Sequence, residues 1–101
     1  MAHQVIWAQS AVNDLIEAVE YIAKDSPSYA ATLASRASAA ANSLTDLPSR
    51  GHRVREYRDP NVRELIVGRS YRLIYKVTEG SVVIISFVHV ARDLESLLGR
   101  S

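Results

Sequence analysis

The sequence predicts an α+β fold with an N-terminal strand and an α-helical hairpin packed on a mainly antiparallel sheet, in the order β-α-α-β-β-β. Three observations predict it. A short apolar run opens the chain; apolar residues then recur at three- and four-residue spacing from Val12 to Leu47; and from Val62 onward the apolar period changes to two.

Gln4 to Ala8, with Val5, Ile6 and Trp7 in succession, reads as the opening strand, and Ser10 is placed to cap the helix that follows. In that helix Val12, Leu15, Ile16, Val19, Ile22 and Ala23 form the apolar side, and Asp14, Glu17, Glu20 and Lys24 the polar one. Asp25-Ser26-Pro27 ends it and starts the next, because serine caps well and proline suits a first helical turn, where no N–H is needed. The second helix carries a stripe of Ala30, Leu33, Ala34, Ala37, Ala40 or Ala41, Leu44 and Leu47, small enough for a close-packed antiparallel neighbour. Leu47 to Gly51 terminates it, and the charged stretch to Asn61, anchored only by Val54 and Tyr57, reads as loop or edge strand.

Three β-rich runs follow: Val62 to Val67, Arg69 to Val77, and Val82 to Val90. Gly68-Arg69 and Glu79-Gly80 both suit tight turns, giving an antiparallel meander. With two-residue loops, Val67 pairs with Ser70 and Thr78 with Ser81. Arg63, Leu65, Arg72, Ile74, Ile85, Phe87 and His89 then share one face, and Tyr71, Leu73, Tyr75, Ile84, Ser86 and Val88 the other. Both faces are apolar in the middle, so the helical hairpin should cover one and something else part of the other. Ala91 to Leu98 is expected to form a short C-terminal helix.

A chain of 101 residues suffices for one domain, spanning 1–101, with one core. An apolar fraction of 48% with few glycines and prolines excludes a disordered chain. The absence of cysteine excludes disulfides and thiolate metal sites, and His3, His52 and His89 lack the spacing of a zinc pair, so no metal and no cofactor is expected. Without a signal-like N-terminus or an apolar run near the roughly 20 residues of a membrane span, a cytoplasmic location away from membranes is expected.

The net charge of +1 hides a local excess. Residues 1–49 hold two basic and five acidic groups (net −3), residues 50–78 eight and three (net +5), and residues 79–101 two and three (net −1). Seven of the eight central cations are arginines, whose planar forks suit phosphate or carboxylate, so an anionic partner is the natural expectation there, with plain solvated surface arginines as the alternative. The register above also brings Arg72 and His89 together, with Arg63 on the adjoining strand and Arg92 just past the last. Cations to stabilise a pentacoordinate phosphate, with His89 for proton transfer, would suit a metal-free ribonuclease. The plainer alternative is that Arg63 and Arg72 pair with Glu64 or Asp93 and that His89 is a hydrogen-bonded structural residue. There is no Gly-rich phosphate loop, no H-E-x-x-H and no nucleophile elbow.

The run Val62-Arg63-Glu64-Leu65-Ile66-Val67-Gly68-Arg69-Ser70-Tyr71-Arg72-Leu73-Ile74-Tyr75-Lys76-Val77, followed by Val88-His89-Val90-Ala91-Arg92-Asp93, resembles the RelE/ParE toxin superfamily of type II toxin–antitoxin systems. The resemblance implies one of two activities: ribosome-dependent mRNA cleavage, as in RelE-like members, or inhibition of DNA gyrase, as in ParE-like ones. Arg63, Arg72 and Arg92 fall where RelE-like nucleases carry basic catalytic residues, and with His89 they would form the catalytic set of a nuclease. Leu65 and Leu98 instead fall where those nucleases have a lysine and a catalytic tyrosine, and valine follows His89 where a related branch has tyrosine. The chain is therefore more similar to the ParE side, with gyrase as target and Arg55, Arg58, Arg63, Arg72 and Arg92 as candidate contacts to target or antitoxin. The resemblance further implies a cognate antitoxin, with operator DNA reached only indirectly through it. A non-toxic interaction module that keeps the fold is the remaining alternative.

Overall fold

In a computed structural model that describes residues 2–91, the order of elements is β1 (Gln4–Trp7), α1 (Gln9–Ala23), α2 (Pro27–Ser43), β2 (His52–Arg53), β3 (Val62–Val67), β4 (Tyr71–Thr78) and β5 (Ser81–His89). The expected C-terminal helix falls outside the described residues, apart from Ala91. The five strands form one sheet in the order β1-β5-β4-β3-β2, antiparallel except where β1 runs parallel to β5. No helix among the described residues is long and apolar enough to cross a membrane.

The junction between the helices forms as its sequence dictates. Ser26 Oγ accepts the N–H of Tyr29, and Pro27 occupies the first turn. Ala30, Leu33, Ala37, Ala41 and Leu44 are buried, and the small alanines bring α2 close to α1 and the sheet. Leu47, expected on the same stripe, is 61% exposed, because the helix ends before it. Ser10 does not cap α1: the capping position is Ala8, and Ser10 Oγ, inside the first turn, donates to the Ile85 carbonyl at 3.3 Å. Ala11, Leu15, Ala18 and Ile22 form the inward side of α1, and Ile16 lies half exposed off that face.

Each face of the sheet has its own core. Beneath the helices lie Val67, Tyr71, Leu73, Tyr75, Val82, Ile84 and Phe87. On the opposite face Val62, Ile74 and Val88 are covered by Val54 and Tyr57 of the segment between β2 and β3, so the chain supplies its own cover there.

The register departs from expectation at two places. Val67 pairs with Tyr71 rather than Ser70, because the β3–β4 loop has three residues, Gly68-Arg69-Ser70, with φ of 65° at Gly68 and 85° at Arg69. Left-handed backbone at a non-glycine residue is uncommon, and nothing in the Arg69 side chain announces it. The Glu79-Gly80 loop does pair Thr78 with Ser81, but the β4–β5 register then shifts between Ile74 and Tyr75, leaving Ile85 as an extra residue on β5. Phe87 and His89 therefore share a face with Leu73 and Tyr71, and Arg72 lies opposite Ile66 and Val88 on the other.

Candidate functional site

The register separates the residues that the sequence brought together. Arg63 stands opposite Tyr75 on the helix-covered face, and Arg72 points from the other face. His89, opposite Tyr71, shares Arg63's face but sits two strands away and four residues further along β4, roughly 13 Å at the usual rise per residue. A single patch of Arg63, Arg72 and His89 does not exist. A one-residue change of register moves every following side chain to the other face, and both irregularities act on β4 or β5. Arg92 lies outside the described residues.

Each of the two described arginines is committed to its own structural contact. The Arg72 guanidinium lies between two carboxylates: Nε donates to Glu64 Oε1 at 3.1 Å, Nη2 donates to Glu64 Oε2, and Nη1 and Nη2 each donate to Glu56 at 3.3 Å. The side chains of Arg72, Glu56 and Glu64 are mostly buried, so the pair is poorly screened by solvent. The hydrogen bond to Glu64 and then that to Glu56 raise the Arg72 pKa, and the Arg72 hydrogen bond holds Glu56 below its ordinary value. Glu56 belongs to the segment between β2 and β3, so this triad ties that segment to the sheet above Val54 and Tyr57.

Arg63 Nη1 donates to the Gly51 carbonyl at 2.8 Å, and the Gly51 N–H donates to the buried Tyr75 hydroxyl at 2.9 Å. Burial pushes the Tyr75 phenol up, so it stays neutral and able to accept that bond. Together these contacts hold the chain entering β2 against β3 and β4.

His89 belongs to a different neighbourhood. The rings of Tyr71 and Phe87 stack at 5.0 Å, with His89 edge-on to Tyr71 at 5.2 Å. These three border a recess of about 310 Å³ between α1 and the far end of β5, walled on the helix side by Asp14, Glu17 and Tyr21. His89 Nδ1 accepts the Ala91 N–H at 3.1 Å. Asp14 accepts the Phe87 N–H at 3.1 Å, so helix side chains satisfy the edge of β5 beyond the end of β1. This recess is not legible in the sequence, because the β5 irregularity that turns Phe87 and His89 toward α1 follows from packing, and Glu17 reads in isolation as a solvated helix charge.

Arg55 and Arg58 are exposed. Among the described residues no group of three or more His, Asp or Glu side chains could hold a metal ion.

Residues 5–94 match the model of a protein family described as the ParE toxin of the type II toxin–antitoxin system parDE. The chain belongs to the ParE toxin family. Consistent with membership in the wider RelE/ParE superfamily, it is 37% identical over 89 residues to Toxin RelE2 of Caulobacter vibrioides, a span of 88% of this chain and 97% of that protein. Two solved structures share the fold of this ParE family member. The chromosomal ParDE toxin–antitoxin system from P. aeruginosa matches with a TM-score of 0.73 at 19% identity, over 88% of this chain and 97% of that one. The toxin–antitoxin complex RelBE2 from Mycobacterium tuberculosis matches with a TM-score of 0.59 at 24% identity, over 91% and 95%.

Proposed function

We propose that this ParE family toxin acts by binding and inhibiting DNA gyrase, without cleaving RNA, and is neutralised by a cognate antitoxin. The observation that carries this reading is the commitment of both described arginines at the nuclease-like positions. Arg72 is neutralised by Glu56 and Glu64, Arg63 is spent on a backbone carbonyl, and the two leave opposite faces of the sheet. Phosphoryl chemistry without a metal needs cations and a proton-transfer group around one phosphate. Arg72 would have to give up two carboxylates to join such a site, and His89 lies on the far side of the sheet from it. A binding toxin needs none of this convergence.

The antitoxin reading draws on the ParDE and RelBE2 neighbours, each of which comes from a toxin–antitoxin assembly. The face of α1 suits a partner: Ile16 and Tyr21 are 50% and 68% exposed, and the recess beside Tyr21 offers aromatic walls with an acidic rim.

RelE-like mRNA cleavage is the second reading, favoured by the 37% identity to Toxin RelE2. Expression of the chain in bacteria without an antitoxin separates the readings. Growth arrest with an SOS response and chromosomal double-strand breaks is expected. Arrest with cleaved mRNA and no SOS response would establish the second reading, and undisturbed growth would leave a non-toxic interaction module.

A further inference from the structure

We propose that the sheet edge formed by residues 50–58 is a docking surface for the phosphate backbone of duplex nucleic acid, contacted directly by this chain and without regard to base sequence. It is independent of the choice between gyrase and mRNA as target.

Arg50, His52, Arg53, Arg55 and Arg58 are all exposed, within nine residues that run through the edge strand β2 and into the segment after it. The two acidic residues nearest to them in sequence are engaged elsewhere: Glu56 binds Arg72, and Asp59 binds Lys76 at 3.0 Å while accepting the Asn61 N–H at 2.8 Å. None of the four arginines forms a salt bridge among the described residues, although Arg55 lies near enough to Glu56, and Arg53 to Asp59, to help lower those carboxylates' pKa values; only Arg50 has a side-chain hydrogen bond, to Ser43 at 2.7 Å. The Arg72 triad thus does two things. It ties the segment to the sheet, and it directs the Glu56 carboxylate onto Arg72 rather than onto the neighbouring arginines, leaving an excess of exposed forked cations.

The chemistry of the edge selects among anionic partners. An acidic peptide adding as a strand would need a run of outward backbone groups, but β2 has two residues. The pairing of His52 with Glu64, and the Val54 N–H bond to Val62, leave only Arg53 with its backbone groups outward. A folded acidic protein would need an apolar centre to its interface, and a single strand would need aromatic platforms for its bases. Between residues 50 and 58 Val54 is buried and Tyr57 packs into the second core, so neither is offered. Exposed arginines without an apolar or aromatic anchor match a regular array of phosphates.

Binding of the full chain to a fluorescein-labelled duplex of about 20 base pairs, followed by anisotropy over a salt series, tests this. The expected log–log salt slope is about −3, from Arg53, Arg55 and Arg58 at roughly 0.9 per phosphate neutralised. The triple variant R53A/R55A/R58A should lose at least about tenfold in affinity and most of that slope. The corresponding triple lysine variant should keep most of the slope, and R36A, an exposed arginine on α2, should bind as the parent does. A thermal melt of the triple alanine variant is expected to lie close to the parent's, because the replaced side chains are exposed and form no salt bridge among the described residues; for a variant that melts lower, the lysine triple and R36A decide. Absence of duplex binding at low salt, equal loss in R36A, loss of the slope in the lysine triple, or stronger competition by polyglutamate or single-stranded RNA than by unlabelled duplex would overturn the proposal.

Discussion

Replacing Gly51 by alanine is expected to destabilise the protein by about 3 kcal/mol, combining overpacking with the loss of a buried hydrogen bond. A Cβ built at Gly51 lies 2.5 Å from the Glu64 carbonyl oxygen and 2.6 Å from the Tyr75 hydroxyl. The first neighbour is backbone of a paired central strand and the second is a wholly buried ring, so neither has a cheap way to move. The chain entering β2 must therefore lift away, and the contacts from Arg63 and Tyr75 go with it. For a domain of this size the melting temperature should fall by roughly 15 °C. A melt of G51A within a few degrees of the parent would show that the entry to β2 is not held as tightly as described. Tyr75→Phe, which keeps the ring and removes the hydroxyl, should cost only about 1 kcal/mol and separates the hydrogen bond from the steric effect.

Removing the Arg72 cation should cost a similar amount by a different route. Arg72→Ala leaves Glu56 and Glu64 facing each other in a largely buried site, a loss of about 3 kcal/mol at neutral pH. The signature is its dependence on pH. Glu56 is held below its ordinary value of 4.5 in the folded protein, so its contribution is fully present above that value and is lost as pH falls through the lowered one. In R72A Glu56 loses the guanidinium that holds its pKa down, so this contribution disappears. The gap between parent and R72A in urea midpoint should therefore be widest near neutrality and narrow below about pH 4.5. A gap independent of pH would mean that the guanidinium acts through packing alone. Glu56→Gln combined with R72A should recover part of the loss, and strictly additive effects would deny that the residues are coupled.

Much of the architecture is legible in the sequence because local and global preferences agree there. Ser26-Pro27 marks the helix junction, the alanine stripe marks the buried side of α2, and Glu79-Gly80 marks a two-residue turn whose pairing is as expected. The site was less legible, and the reason is specific. Arg69 adopts a backbone conformation its side chain does not favour, and Ile85 is an extra residue in β5. Each shifts register by one, which turns Arg72 away from Arg63 and His89 toward the helices. The pairing of Arg72 with Glu64 follows from residues on neighbouring strands and was anticipated as the plainer alternative. Its second partner, Glu56, comes from an irregular segment whose path only tertiary packing sets. Leu47 shows the same limit on a helix: periodicity continued past the point where the backbone stopped.

On the proposed function, this toxin disables gyrase while Arg63 and Arg72 serve structure. Incubation of the full chain with purified gyrase, ATP and plasmid DNA, in parallel with translating ribosomes on a defined mRNA, tests it most directly. Dose-dependent loss of supercoiling, with linear plasmid accumulating and the mRNA intact, is the expected result. Unimpaired supercoiling together with mRNA cut on the ribosome would contradict it.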